Sequence, residues 1–162
     1  MGMIRPLVAA DRPAVQNIVA RAGNFTNDEI EVAMELVDEW LAEGEDSGYV
    51  ALVLADDETS RSVKGYVCFG PAPMTEGTFD LYWIAVDPTT RGRGLGRQLV
   101  AAAEEEIRSR GGRLLLIETA SQESYTATIR FYERSGYDVV SRIRDYYRPG
   151  DDKLTFAKNL GS

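Results

Sequence analysis

The stretch that decides the fold is residues 84–100, which read IAVDPTTRGRGLGRQLV. An apolar segment precedes a loop rich in glycine and arginine, and helical spacing of apolar residues begins directly after it, at Leu95 and Leu99. Glycine lets the backbone approach a ligand closely, and the first turn of a helix presents unpaired N–H groups that bind phosphate. The stretch therefore predicts a strand–loop–helix unit that binds a phosphate or pyrophosphate.

The ligand class is left open by this loop alone. It contains three arginines and three glycines among seven residues: Arg91, Gly92, Arg93, Gly94, Leu95, Gly96 and Arg97. A Walker A loop needs Gly-Lys-Ser/Thr, which is missing, and a dinucleotide fold needs an acidic residue on a following strand, for which there is no convincing candidate. A surface turn with solvated arginines is the alternative without a ligand.

Outward from this unit, hydrophobic periodicity predicts the order β-α-α-β-β-β-α-β-α-β-β within one α/β domain over residues 1–162. Thr26 and Glu29 form a capping box that starts the second helix. Continuous apolar content predicts that strands 79–86 and 113–119 are buried on both faces. The predicted segments are strands 4–8, 49–55, 64–70, 79–86, 113–119, 137–144 and 153–159, with helices after Asp11, after Thr26, from Leu95 to Gly111 and over 126–134, and a polar loop at 145–152.

Composition excludes several classes of chemistry. The 162 residues contain no histidine and one cysteine, Cys68, so Ser-His-Asp and Cys-His triads, His-ligated metals and internal disulfides are ruled out. We expect Cys68 to serve packing, no metal to be bound, and a cytoplasmic location, since no signal or membrane-spanning segment is visible.

Charge argues against a polyanionic partner. The net charge is −8, so neither nucleic acid nor an anionic membrane is an expected partner. Fifteen acidic and five basic residues lie in positions 1–81, whereas positions 82–162 are mildly basic. This asymmetry would suit a cationic substrate beside an anionic cofactor, but taken alone it favours solvated surface charge.

Two motifs resemble those of the GNAT superfamily, the acyl-CoA-dependent N-acetyltransferases. Arg91-x-x-Gly94-x-Gly96 is similar to the family's Q/R-x-x-G-x-G/A cofactor motif. The segment TIRFYERSGY, residues 128–137, is similar to the later motif in which a helix carries an aromatic–Tyr pair before a Gly-aromatic turn. The resemblance is strong over residues 79–137 and rests on element order before them.

The resemblance implies a mixed, mostly antiparallel sheet that splays between strands four and five and is flanked by about four helices. It implies that acetyl-CoA lies in the gap as a co-substrate, with its pantetheine arm on the strand-four backbone at Ile84, Ala85 and Val86. The pyrophosphate would lie on the loop amides from Arg91 to Arg97. Tyr125 stands where the family usually has an Asn that holds the pantetheine arm, and we expect it to substitute through its hydroxyl or to wall the tunnel.

Tyr132 occupies the position of the family's catalytic Tyr, which implies that it protonates the CoA thiolate; a core tyrosine is the alternative. Asp80, at the start of strand four, is the expected base that deprotonates the acceptor amine, with Glu118 as second candidate and water as a relay. Strict alternation would put Asp80, Tyr82, Ile84 and Val86 on one side of the strand.

The predicted activity is transfer of acetyl from acetyl-CoA to a primary amine of a small molecule. Alternatives are a protein N-terminal or lysine acetyltransferase, a non-catalytic acyl-CoA sensor or scaffold, and a nucleotide-dependent enzyme. A homodimer is a further expectation. Aromatic residues with acids of the predicted 145–152 loop are candidates for an amine pocket: Phe25, Trp40, Tyr82, Trp83, Tyr146, Tyr147, Asp151 and Asp152.

Overall fold

Seven strands and four α-helices follow one another in the predicted order in a computed structural model, which describes residues 2–23, 25–90 and 92–161. The strands are β1 (Met3–Pro6), β2 (Val50–Ala55), β3 (Val63–Pro71), β4 (Thr78–Val86), β5 (Leu114–Ala120), β6 (Asp138–Arg148) and β7 (Asp151–Asn159). The helices are α1 (Arg12–Arg21), α2 (Asn27–Glu43), α3 (Leu95–Ser109) and α4 (Thr126–Arg134).

The strands form one mixed sheet in the order β1-β2-β3-β4-β5-β7-β6. Every neighbouring pair is antiparallel except β4 and β5, which are parallel. This confirms the predicted α/β class with a mostly antiparallel sheet and four helices. The β6 strand forms one edge, and its residues are exposed along its length.

Two apolar layers cover the sheet. On one face, α3 buries Leu95, Leu99 and Ile107 against the sheet, and Tyr132 of α4 belongs to the same cluster. On the other, α1 and α2 bury a second cluster that includes Val15 and Cys68. Cys68 is fully buried, which confirms the packing role expected for it.

Local signals place the ends of several elements. The capping box of α2 is confirmed, since Thr26 Oγ1 accepts from the Glu29 amide at 3.1 Å and the Glu29 carboxylate accepts from the Thr26 amide at 2.9 Å. Asp11 does not cap α1 with its side chain. Its carboxylate instead accepts from the Val8 amide and from Arg5.

The predicted loop at 145–152 is wrong, because β6 runs to Arg148 and β7 begins at Asp151. Only Pro149 and Gly150 separate the strands, and Gly150 has a φ of 83°, the left-handed conformation that the second position of a type II turn requires. Tyr146 and Tyr147 therefore belong to a strand. Pairing in the hairpin is interrupted between Ile143 and Arg148.

Candidate active site

The central feature is a gap in the sheet between its two parallel strands. The strands pair only over Thr78–Leu81 and Leu114–Ile117, yet β4 continues to Val86 and β5 to Ala120. Beyond that contact they separate and line a cavity of about 1070 Å³. The expected splay between strands four and five is thus confirmed. Burial of both strands on both faces is wrong, since Tyr82 of β4 and Glu118 of β5 line the cavity and are exposed.

A bulge in β4 reverses its alternation halfway along. Phe69 of β3 lies opposite Leu81 and Cys68 lies opposite Trp83, so Tyr82 is an extra residue with no partner of its own. Leu81 and Ile84 both pack with the α3 cluster. The prediction of one common face for Asp80, Ile84 and Val86 is therefore wrong: Asp80 lies on the α2 face and the other two on the α3 face.

Beyond Leu81, the β4 edge that faces β5 has no strand partner in the part of the chain that the structure describes. Residues Ile84, Ala85 and Val86 line the cavity along this edge. Their backbone can therefore pair with an extended ligand arm as a neighbouring strand would.

The glycine–arginine loop lies at the α3 end of the cavity. Gly92 and Gly94 have positive φ values of 85° and 71°, and Gly94 is the N-cap of the 15-residue α3. Gly96 lines the cavity beside the Phe131 ring, where a Cβ would lie 3.3 Å from Cζ. The first turn of α3 aims unpaired N–H groups and a positive dipole end outward, which suits phosphate.

The arginines of the loop differ in their surroundings. Arg93 forms an ion pair with Asp56 at 2.9 Å, and Arg97 is exposed in the first turn of α3. Leu95 buries its side chain in the core, so only its backbone can serve a ligand. Arg91 lies outside the described residues.

Tyr132 reaches the same cavity from α4. It is 3% exposed, and its ring contacts those of Phe131, Tyr137 and Phe156. Within the described chain its hydroxyl makes no hydrogen bond, and burial raises its pKa, which keeps the phenol protonated at neutral pH. Tyr125, in the turn before α4, also lines the cavity, and burial raises its pKa to about 12.

Two carboxylates line the α2 side of the cavity. Asp80 lies opposite Leu116, and Glu118 follows two residues later on the same face of β5. Asp80 is half-buried with no ion pair in the described chain, and burial raises its pKa, with Glu118 adding to the rise. Glu118 instead pairs with Lys153 at 3.0 Å.

Asp151 and Asp152 are not available to an ammonium ligand, so this expectation is wrong. Asp151 accepts from the amides of Ser121 at 3.0 Å and Gln122 at 3.1 Å and pairs with Arg148. Asp152 likewise accepts from the Asp145 amide and from an arginine of β6. The Asp151 carboxylate thus holds the hairpin to the turn after β5, and the Asp152 carboxylate holds β7 to β6.

Aromatic side chains form the rest of the cavity wall on the α2 side. Phe25 packs edge-on against Trp83 at 5.4 Å, and Tyr49 against Tyr82 at 5.5 Å between ring centroids. Trp40 is not among them, since its indole donates to the Leu7 carbonyl.

Residues that the sequence analysis missed include Glu29 and Tyr49, which line the cavity, and Lys153, which lies beside it. Tyr49 precedes a strand and Glu29 belongs to a capping box, so each had a structural explanation. Lys153 could be found only from the pairing of β5 with β7, which places it opposite Ala120.

An extended cleft with an unpaired strand edge, ending at a helix start that suits phosphate, fits an acyl-CoA, and the domain is of the acyl-CoA-dependent N-acyltransferase class. The chain belongs to the acetyltransferase (GNAT) family, whose sequence profile matches residues 14–137. No group of three or more acidic or cysteine ligands in the described residues could hold a metal, and no helix among them is long and apolar enough to cross a membrane.

The chain is similar over its whole length to a GNAT-family protein from Desulfovibrio desulfuricans. The two are 41% identical, with a TM-score of 0.94 and coverage of 99% of this chain and 100% of the other. An aminoglycoside 6'-N-acetyltransferase in complex with coenzyme A shares the fold at 16% identity, with a TM-score of 0.73 over 99% of this chain and 98% of that chain.

Curated relatives match shorter segments. The [ribosomal protein bS18]-alanine N-acetyltransferase of Salmonella typhimurium is 39% identical over 67 residues, 41% of this chain and 44% of the relative. Mycothiol acetyltransferase of Streptosporangium roseum is 41% identical over 58 residues, 36% of this chain and 17% of the relative. The matches span less than half the length of either relative.

Proposed function

We propose that this protein transfers the acetyl group of acetyl-CoA directly to the primary amine of a small cationic molecule. One observation carries the proposal: a single cavity is lined by the unpaired β4 edge, by Gly96 at the start of α3, and by Tyr132 and Asp80. The first two suit the cofactor, and the last two suit the proton transfers that amide formation requires.

The cofactor would bind along one side of the cavity. Ile84, Ala85 and Val86 would pair with its pantetheine arm, and the amides of the glycine–arginine loop would hold its pyrophosphate. When bound, acetyl-CoA supplies the thioester that is cleaved. Tyr125 walls the cavity on the α4 side of this path.

The acceptor would enter from the α2 side. Asp80, which forms no ion pair with the described residues, would accept a proton from the acceptor ammonium directly or through water. Tyr132, kept protonated by burial, would donate its proton to the departing sulfur. Glu118 is the less suitable base because Lys153 already neutralises it.

The charge of the lining supports a cationic acceptor. Four carboxylates line the cavity, and two of them are paired within the chain, Asp151 with Arg148 and Glu118 with Lys153. Glu29 and Asp80 have no ion pair among the described residues, and this remaining negative charge attracts an ammonium group and disfavours an anionic acceptor. Aromatic rings beside them can hold an alkylammonium by cation–π contact.

A panel assay tests the proposal. Release of the CoA thiol would be followed with acetyl-CoA and single amines, including alkylamines and amino acid amides, together with a peptide that begins with alanine. We expect the small amines to give the highest kcat/KM. Preference for the peptide would indicate a protein N-terminal acetyltransferase, as the bS18 relative is named.

A second measurement separates the enzyme from a sensor. Calorimetry would establish acetyl-CoA binding independently of turnover. Tight binding without release of CoA for any acceptor would contradict the proposal and favour a non-catalytic acyl-CoA-binding domain. Stabilisation against heat by ATP or NAD that exceeds stabilisation by CoA would contradict the cofactor assignment itself.

A further inference from the structure

The ion pair between Glu118 and Lys153 lies beside the acceptor side of the cavity. Pairing of β5 with β7 sets Glu118 opposite Thr155 and Ala120 opposite Lys153. Lys153 and Glu118 are therefore diagonal neighbours on the paired strands, and the Lys153 Nζ atom lies 3.0 Å from Glu118 Oε2. Its side chain is only 19% exposed, so the ammonium group is held against the protein.

A second contact completes the setting of this ammonium group. The Nζ atom of Lys153 lies 4.6 Å from the centre of the Tyr146 ring. A carboxylate on one side and an aromatic face on another are the contacts by which proteins bind alkylammonium ligands. Lys153 therefore occupies a place built like a binding site for a substrate ammonium.

Asp80 offers the contrasting case. It lines the same cavity on the same face of the sheet as Glu118, and it has no ion pair in the described chain. This face of the sheet thus presents two carboxylates to the cavity, of which Glu118 is neutralised from within the chain and Asp80 is open to a substrate.

We propose that Lys153 fills a second ammonium position at Glu118, so that the cavity takes acceptors with one positive charge and rejects diamines. The proposal rests on the function proposed above and specifies its substrate class. A diamine that placed one amine at Asp80 would bring its other ammonium toward Lys153. Like charges at close range in a partly buried site repel each other, and the position at Glu118 is already taken.

The test compares pentylamine with cadaverine, its counterpart with a second amine. Calorimetric titrations into the protein saturated with CoA would use the wild type and Lys153→Met, which keeps an unbranched apolar stem and removes the charge. We expect the preference for cadaverine over pentylamine, as a ratio of Kd values, to rise by about tenfold or more in Lys153→Met. An unchanged ratio would overturn the proposal.

Two matched variants sharpen this result. Lys153→Arg keeps the positive charge, so its ratio should stay near that of the wild type. Adding Glu118→Gln to Lys153→Met removes the carboxylate that the second ammonium would use, so the gain should disappear. If the increased preference for cadaverine persists in this double variant, the proposal is also overturned. Lys153→Gln replaces Lys153→Met if circular dichroism shows that Lys153→Met is unfolded.

Activity separates failure of this proposal from failure of the proposed function. If the wild type acetylates pentylamine and the ratio of Kd values does not respond to Lys153, only the exclusion of diamines is wrong. If none of the amines is acetylated but the binding ratio responds as expected, the ammonium position is supported and the proposed activity is wrong.

Discussion

Replacing Tyr132 by phenylalanine removes one oxygen atom from the centre of the site. The ring contacts with Phe131, Tyr137 and Phe156 are retained, with centroid distances of 5.5, 6.1 and 5.6 Å. Since the hydroxyl makes no hydrogen bond in the described chain, the free energy of unfolding should change by less than about 1 kcal/mol. Affinity for acetyl-CoA should be preserved, because the loop and strand edge that suit it lie elsewhere.

The chemical step should respond strongly. Without the phenol the thiolate departs with no positioned proton donor, which corresponds to a loss of about 10²–10⁴ in rate. The loss should appear equally in kcat and kcat/KM, since the interaction acts only in the transition state. The assay is CoA release at saturating acetyl-CoA with the amine that the wild type turns over fastest, beside urea denaturation of the same preparations.

Tyr137→Phe is a matched control in the same aromatic cluster. The Tyr137 hydroxyl donates to Glu104 at 2.7 Å, and Glu104 also binds Lys158 at 3.1 Å. Losing a hydrogen bond to a buried carboxylate should cost about 1.5–3 kcal/mol of stability and leave kcat near the wild-type value, because Tyr137 does not line the cavity. A wild-type kcat in Tyr132→Phe would refute the role of Tyr132 as the acid and would leave its phenol with a structural role.

Three further variants probe the cofactor loop and the base. Gly96→Glu should abolish acetyl-CoA binding in calorimetry while the protein stays folded, because the new side chain would enter the cavity beside Phe131 and its charge would repel phosphate. Unchanged affinity for acetyl-CoA in the folded variant would contradict the cofactor assignment. Arg93→Ala should raise the Kd for CoA by about three- to tenfold at low salt and by less at high salt, since exposed charge contacts are screened; an effect independent of salt would contradict a phosphate contact. Asp80→Asn should remove the acidic limb of the pH–rate profile, because the raised pKa of Asp80 means that the wild type loses its base as the pH falls through that value. Asp80→Asn should also have a higher free energy of unfolding than the wild type at neutral pH, because burial disfavours the ionised carboxylate of Asp80. This difference should vanish below about pH 4, where the Asp80 side chain of the wild type is neutral like the asparagine of the variant. Lower stability of the variant at neutral pH would show that Asp80 has a stabilising partner.

Local signals in the sequence were sufficient for the order of elements and for parts of the site. The helix predicted at 126–134 has those bounds, and the capping box at Thr26 and Glu29 forms as expected. The strand–loop–helix unit predicted at 84–100 is also present. These features depend on residues close together in the chain, so periodicity and capping preferences can find them.

The features that were missed depend on pairing between distant segments. The bulge at Tyr82 is defined by the pairing of β3 with β4, and the sequence of β4 alone does not indicate it. The Lys153–Glu118 contact likewise requires β7 to lie beside β5. The short turn at Pro149 and Gly150 did have a local signal, but the acidic residues after it, Asp151 and Asp152, were assigned to a loop.

The most direct test of the central claim is a crystal structure of the protein grown with acetyl-CoA. We expect density for the pantetheine arm between β4 and β5 along Ile84–Val86, with the pyrophosphate at Gly92–Gly96 and the thioester near Tyr132 and Asp80. Acetyl-CoA bound outside this gap, or with its thioester remote from both side chains, would contradict the proposed function.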